Sequence, residues 1–200
     1  MSDSKECVFI MKTSKTAGLV LCAMLTALVA VLQFTGGAIR FGPFSISLVL
    51  IPIVIGAALC GWQIGAWLGL VFGAVVLLTD STLFMAFSIP GTVVTVLLKG
   101  VLCGLCSALV FKALKKANTY LAVIAAAITC PIVNTGVFLL GCRVFFMPLI
   151  GQWAAAADFG TNIASYMIMV LVGTNFLFEL GINVILSPII VRILKIKGAN

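Results

Sequence analysis

The residues able to do chemistry are few, and they stand inside long apolar runs: Lys99, Asn134, Asn175, Glu179 and Asn183. Asn175, Glu179 and Asn183 follow one another at i, i+4 and i+8, so on a helix they form one stripe. A charge deep in an apolar segment costs several kcal/mol unless it is paired or hydrated, and such a group marks a site or a structural pair. Both readings are open. In one, Lys99 and Glu179 form a structural salt bridge and the asparagines bond between helices. In the other, Lys99, Asn134, Asn175 and Glu179 are polar anchors of a solvated ligand cavity open to the outside.

Other chemistry is poorly supplied. The chain has no His, which removes Ser/His and Cys/His catalysis and the commonest zinc sites. Its seven cysteines are an odd number, and Cys22, Cys60, Cys103, Cys106 and Cys130 lie in apolar runs where Cys behaves as a small hydrophobe. Cys103 and Cys106 have redox-motif spacing but no polar ligands around them, so helix packing accounts for them. An enzyme would have to use Glu179, Asp80, Lys99 or a cysteine, and none has an evident base or metal set beside it. No catalytic residue, metal or cofactor is expected. A Gly-x4-Gly-Lys-Ser/Thr nucleotide loop is missing, so uphill transport would draw on an ion gradient or on a partner.

The elements that position these residues follow from composition. The chain is 63% hydrophobic and 8% charged, with a mean hydropathy of +1.31, more apolar surface than a soluble fold of 200 residues could hide. At roughly 20 residues per crossing, the length allows about six to eight spans and no second domain. Apolar runs at about 16–34, 48–60, 63–79, 91–114, 120–140 and 163–193 predict an all-α integral membrane protein of the cell membrane, a bundle of six transmembrane helices. Residues 1–15 form a cytoplasmic segment, 16–195 the transmembrane domain, and 196–200 a cytoplasmic tail. With both termini inside, Lys5, Lys12, Lys15, Lys112, Lys115, Lys116, Arg192, Lys195 and Lys197 are cytoplasmic, nine of the twelve basic residues. The net charge of +7 therefore reflects loop placement and implies no nucleic-acid partner.

In this frame Lys99 and Asn134 both fall in the outer half of the bilayer. Gly61, Gly65, Gly69 and Gly73 recur at i+4 along the third span, and Ala23 and Ala27 repeat the interval on the first. Such grooves admit close helix approach, either within the chain or from another subunit. The segment 35–47 mixes Gly and Pro with a short alternating stretch and predicts an ordered, extended outer loop carrying Arg40. A longer outer loop between the last two spans carries Arg143, Pro148, Trp153 and Asp158. The aromatics Phe41, Phe44, Phe145, Phe146 and Trp153 serve as interface anchors or as a lid over a ligand.

The ordered set Ala23-Met-Leu-Thr-Ala27, Ser47-Leu-Val-Leu-Ile-Pro-Ile-Val-Ile-Gly56, Gly69-Leu-Val-Phe-Gly73, Asn134-Thr135 and Asn175-x3-Glu179-x3-Asn183 before Pro188 resembles the substrate-binding S components of energy-coupling factor vitamin transporters. The likeness covers nearly the whole chain and is greatest to the pantothenate and riboflavin branch. It implies a binding protein and not an enzyme. By resemblance, Ala23 and Ala27 meet a transmembrane coupling subunit, two separate ATPase subunits hydrolyse ATP, and the first outer loop with the outer ends of spans four to six holds a vitamin. Lys99 and Arg40 favour an anionic ligand such as pantothenate. Riboflavin or another vitamin precursor is the alternative, and a membrane assembly subunit without a ligand is a third reading.

Overall fold

The computed structural model describes residues 15–36, 40–41, 44–45, 48–157, 159–160 and 162–196. Among the described residues the regular structure is helical apart from one short hairpin. Helix α1 covers Lys15–Gly36. Strands β1 (Arg40–Phe41) and β2 (Phe44–Ser45) then pair antiparallel, Arg40 opposite Ser45 and Phe41 opposite Phe44. Helices α2 (Leu50–Cys60), α3 (Trp62–Thr79), α4 (Thr82–Phe87), α5 (Ile89–Leu114), α6 (Thr119–Phe145) and α7 (Met147–Ala156) follow. Helix α8 (Ile163–Tyr166) leads into a π-helical segment, Met167–Gly173, and that into α9 (Thr174–Ile196).

Among the described residues five helical stretches are long and apolar enough to cross a membrane: Gly18–Gly36, Trp62–Thr79, Ile89–Leu114, Thr119–Phe145 and Ile163–Leu194. They correspond to spans one, three, four, five and six of the sequence reading. The second span is shorter. Helix α2 has 11 residues, which rise about 16 Å against a hydrocarbon core of about 30 Å. It is apolar all round and sinks into the bundle, with Leu50, Ile53 and Val54 fully buried. Gly61 ends it at φ 87°, a left-handed conformation that a side chain would strain, and α3 begins at the next residue.

The glycine row of α3 packs inside the chain. A methyl group at Gly65 would meet the Gly104 carbonyl oxygen, one at Gly69 the Gly100 carbonyl, and one at Gly73 the Val96 carbonyl. Helices α3 and α5 thus touch backbone to backbone, the close approach that small residues permit in lipid. Ser107 Oγ fastens α5 to α6 by donating to the Ala126 carbonyl at 2.9 Å. The main core gathers Val29 from α1, Leu50 and Ile53 from α2, Leu68 and Phe72 from α3, and Ile190 and Leu194 from α9.

Two expected loops carry helices. Helix α6 runs on to Phe145 and takes Arg143 into its last turn, and α7 supports Pro148 and Trp153. Pro148 sits in the first turn of α7, where its missing N–H costs nothing, while Ile150 and Ala154 bury one face of this helix. The Pro and Arg that suggest a loop therefore mark helix ends. The loop after the third span likewise holds α4, and Ser88 caps α5 by accepting from the Gly91 amide. A smaller core joins these pieces through Phe84, Cys142, Phe146, Ile150, Ala154, Tyr166 and Leu171.

Candidate functional site

One cavity opens among α1, α3, α4, α5, α6, the π segment and α9, with about 660 Å³ of space between atoms, part of it open to solvent. Polar residues from the interior of three spans set its polar wall. Lys99 of α5, Asn134 of α6, and Asn175 and Glu179 of α9 all line it, so the structure brings four of the five sequence-derived candidates together. The fifth, Arg40, lies in β1 with its side chain outside the described residues. Residues 1–14 and 197–200, and Asp158, also fall outside them.

Lys99 is half-buried, and its ammonium lies 5.6 Å from the Phe72 ring centre and 5.3 Å from that of Phe138. Glu179 and Asp80 both act on it electrostatically. The cation lies against two aromatic faces and feels two carboxylates, a setting that lowers the cost of keeping it in an apolar surround. Phe138 continues into an aromatic cluster: the Phe84 ring meets the Phe138, Phe146 and Trp153 rings edge-on at 5.7, 5.0 and 5.6 Å. Since Phe84 itself lines the cavity, α4 and α7 bear on the cavity wall through these rings. Phe146 is buried and Trp153 half-buried, so these two act in packing more than as isolated surface anchors.

The amides are poorly satisfied. Asn134 is buried and its Oδ1 has no hydrogen-bond partner in the described structure; the Asn175 Oδ1 is in the same state. A buried acceptor left unpaired costs about 1–3 kcal/mol, which a ligand donor would recover. Asn183 plays a different part from the rest of its stripe. It lies outside the cavity wall, and its Nδ2 donates to the Glu179 carbonyl at 2.8 Å. Ser187 Oγ repeats the pattern by donating to the Asn183 carbonyl at 2.8 Å. The upper half of the stripe faces the cavity and the lower half bonds back to its own helix.

Gln33, Asp80, Ser81 and Thr135 also line the cavity, and sequence reasoning assigned none of them to a site. Gln33 Nε2 donates to Asp80 Oδ2 at 2.8 Å, which ties the end of α1 to the end of α3. Thr79 Oγ1 donates to the same carboxylate oxygen at 3.1 Å. The signal available for Gln33 was that it is the one amide side chain in its apolar run. Ala23 and Ala27 are not part of this wall. Both are exposed on α1, on a surface that also shows Leu19 at 71% and Met24 at 66% exposure.

A family profile, "ECF transporter, substrate-specific component", matches residues 18–191. The chain belongs to this family. As a member it is a transport component in a membrane, and its several long apolar helices make it a multi-pass protein. It is also 30% identical over 208 residues to the pantothenic acid transporter PanT of Lactococcus lactis subsp. cremoris (strain MG1363), a match covering 95% of this chain and 99% of that protein. No solved structure matches. The substrate-specific component thus combines a family-wide transport role with a polar cavity lined by one lysine and two carboxylates.

Proposed function

We propose that this substrate-specific component captures pantothenate from the outer side of the cell membrane and hands it to a coupling module made of a transmembrane subunit and two ATPase subunits. The observation that carries the reading is the cavity itself, in which a lysine and unpaired amides face one space deep among apolar helices. Pantothenate carries a carboxylate for Lys99 and polar groups along its length for the amides. The PanT likeness over nearly the full length of both chains supports the same ligand. Arg40, in the strand β1 that follows α1, supplies a second cation for the same anionic ligand.

The reading includes topology. Six crossings, with α2 as a short second one, leave both ends in the cytoplasm, and nine of the twelve basic residues then lie inside, as the positive-inside rule requires. Residues 1–15 and 196–200 are cytoplasmic ends of a single domain. Ala23 and Ala27 form the groove against which the coupling subunit docks; their exposure and spacing support this.

Purified protein titrated with a panel of water-soluble vitamins tests the assignment. Pantothenate binds and raises the melting temperature, while riboflavin does neither. Saturable binding of riboflavin without pantothenate would replace the ligand, and a protein that responds to none of the panel would be an assembly subunit.

A further inference from the structure

The cavity holds one polar group whose orientation is fixed by its neighbour. Gln33 is 1% exposed, and its Nε2 donates to Asp80 Oδ2 at 2.8 Å. A carboxylate only accepts, so the amide edge facing Asp80 must be the NH2 edge. Its carbonyl is then the edge left over, and Gln33 Oε1 is buried with no hydrogen-bond partner in the described structure. Asp80 Oδ2 also takes the Thr79 hydroxyl at 3.1 Å, which further pins the carboxylate that orients Gln33. Gln33 and Asp80 both line the cavity that Lys99 lines.

We propose that Gln33, oriented by Asp80, is a specificity-determining residue that accepts a hydrogen bond from a hydroxyl of the ligand whose carboxylate Lys99 holds. The inference rests on the pantothenate reading of the same cavity and deepens it. Among the described lining residues the charges are one lysine against two carboxylates, and the orphaned side-chain atoms of Gln33, Asn134 and Asn175 are all acceptors. Those acceptors suit a ligand with several donors and disfavour one that offers only acceptors, while Lys99 is the one cation among the described lining residues for a carboxylate. Pantothenate has one carboxylate, one amide N–H and two hydroxyls. A donor that reaches Gln33 removes the penalty of its buried carbonyl, and a ligand without that donor leaves the penalty in place.

Two probes separate the outcomes: pantothenate, and its analogue with both hydroxyls replaced by hydrogen. Wild-type protein favours pantothenate by about tenfold or more, and Gln33→Leu lowers pantothenate affinity by about tenfold and brings the two probes within about twofold of each other. Lys99→Met weakens both probes alike, because both keep the carboxylate. Gln33→Met serves as a second variant of similar size, and melting temperatures without ligand show that the folded protein is being compared. If wild type binds the two probes equally, or if the Gln33 variants keep the wild-type preference, the inference is overturned while the pantothenate reading stands. A wild-type protein that binds neither probe overturns both.

Discussion

Lys99 is placed where two roles compete, since Glu179 acts on its charge and the cavity surrounds it. The two roles give different mutant behaviour. If Lys99 holds a ligand carboxylate, Lys99→Met weakens pantothenate binding by about 1.5–3 kcal/mol, roughly ten- to a hundredfold, with little change in the melting temperature of the empty protein. If it serves only to neutralise Glu179, the single variant loses stability with or without ligand, and adding Glu179→Gln restores it. Melting and affinity for the single and double variants separate these; a double variant that regains stability and binds normally would remove Lys99 from the ligand contacts. Lys99, Asn134, Asn175 and Glu179 could be read from sequence because polar residues inside apolar runs are conspicuous. Gln33 and Asp80 could not, because they lie near span ends, where polar residues are ordinary; only the hydrogen bond between α1 and α3 gives them a role.

Helices α3 and α5 meet through glycines, and the tolerance of each glycine differs with what stands opposite. Gly69→Ala drives a methyl into the Gly100 carbonyl, a backbone atom that cannot rotate away, and should destabilise the protein by about 1–3 kcal/mol. Gly136→Ala in α6 meets nothing within 4 Å and should be neutral or stabilising. Thermal unfolding of the two variants side by side checks the seam, and equal melting temperatures would show that α3 and α5 are not in close contact. Helix α1 predicts a functional difference instead: Ala23→Trp with Ala27→Trp should abolish uptake while pantothenate affinity of the isolated protein stays within about twofold, since these exposed positions stand off the cavity. Joint loss of both would assign them to the chain's own packing. The i+4 glycine pattern was legible as a close contact, but its partner was not, because spacing alone does not name the facing helix. Helix α7 escaped sequence reasoning for another reason: Arg143 and Pro148 look like loop residues until they are seen to close one helix and open the next.

Across the whole molecule, hydropathy predicts six spans, of which five are helices long enough to cross among the described residues, while the 11 residues of α2 are too few for a straightforward crossing. The proposed orientation rests on charge. In a cysteine-free background, a single cysteine at Ala155, exposed on α7, should label from outside, and one at Asn118, exposed between α5 and α6, should label only after permeabilisation. Outside labelling at Asn118 would overturn the six-crossing topology. The central claim is that the cavity holds an anionic vitamin through Lys99, and one comparison tests it most directly: equilibrium binding of pantothenate and of pantothenol, in which an alcohol replaces the carboxylate, to wild type and Lys99→Met. The account predicts that wild type prefers pantothenate by about ten- to a hundredfold and that Lys99→Met binds both with similar, weak affinity. Wild type that binds the two equally, or a Lys99→Met variant that keeps the full preference for pantothenate, would contradict it.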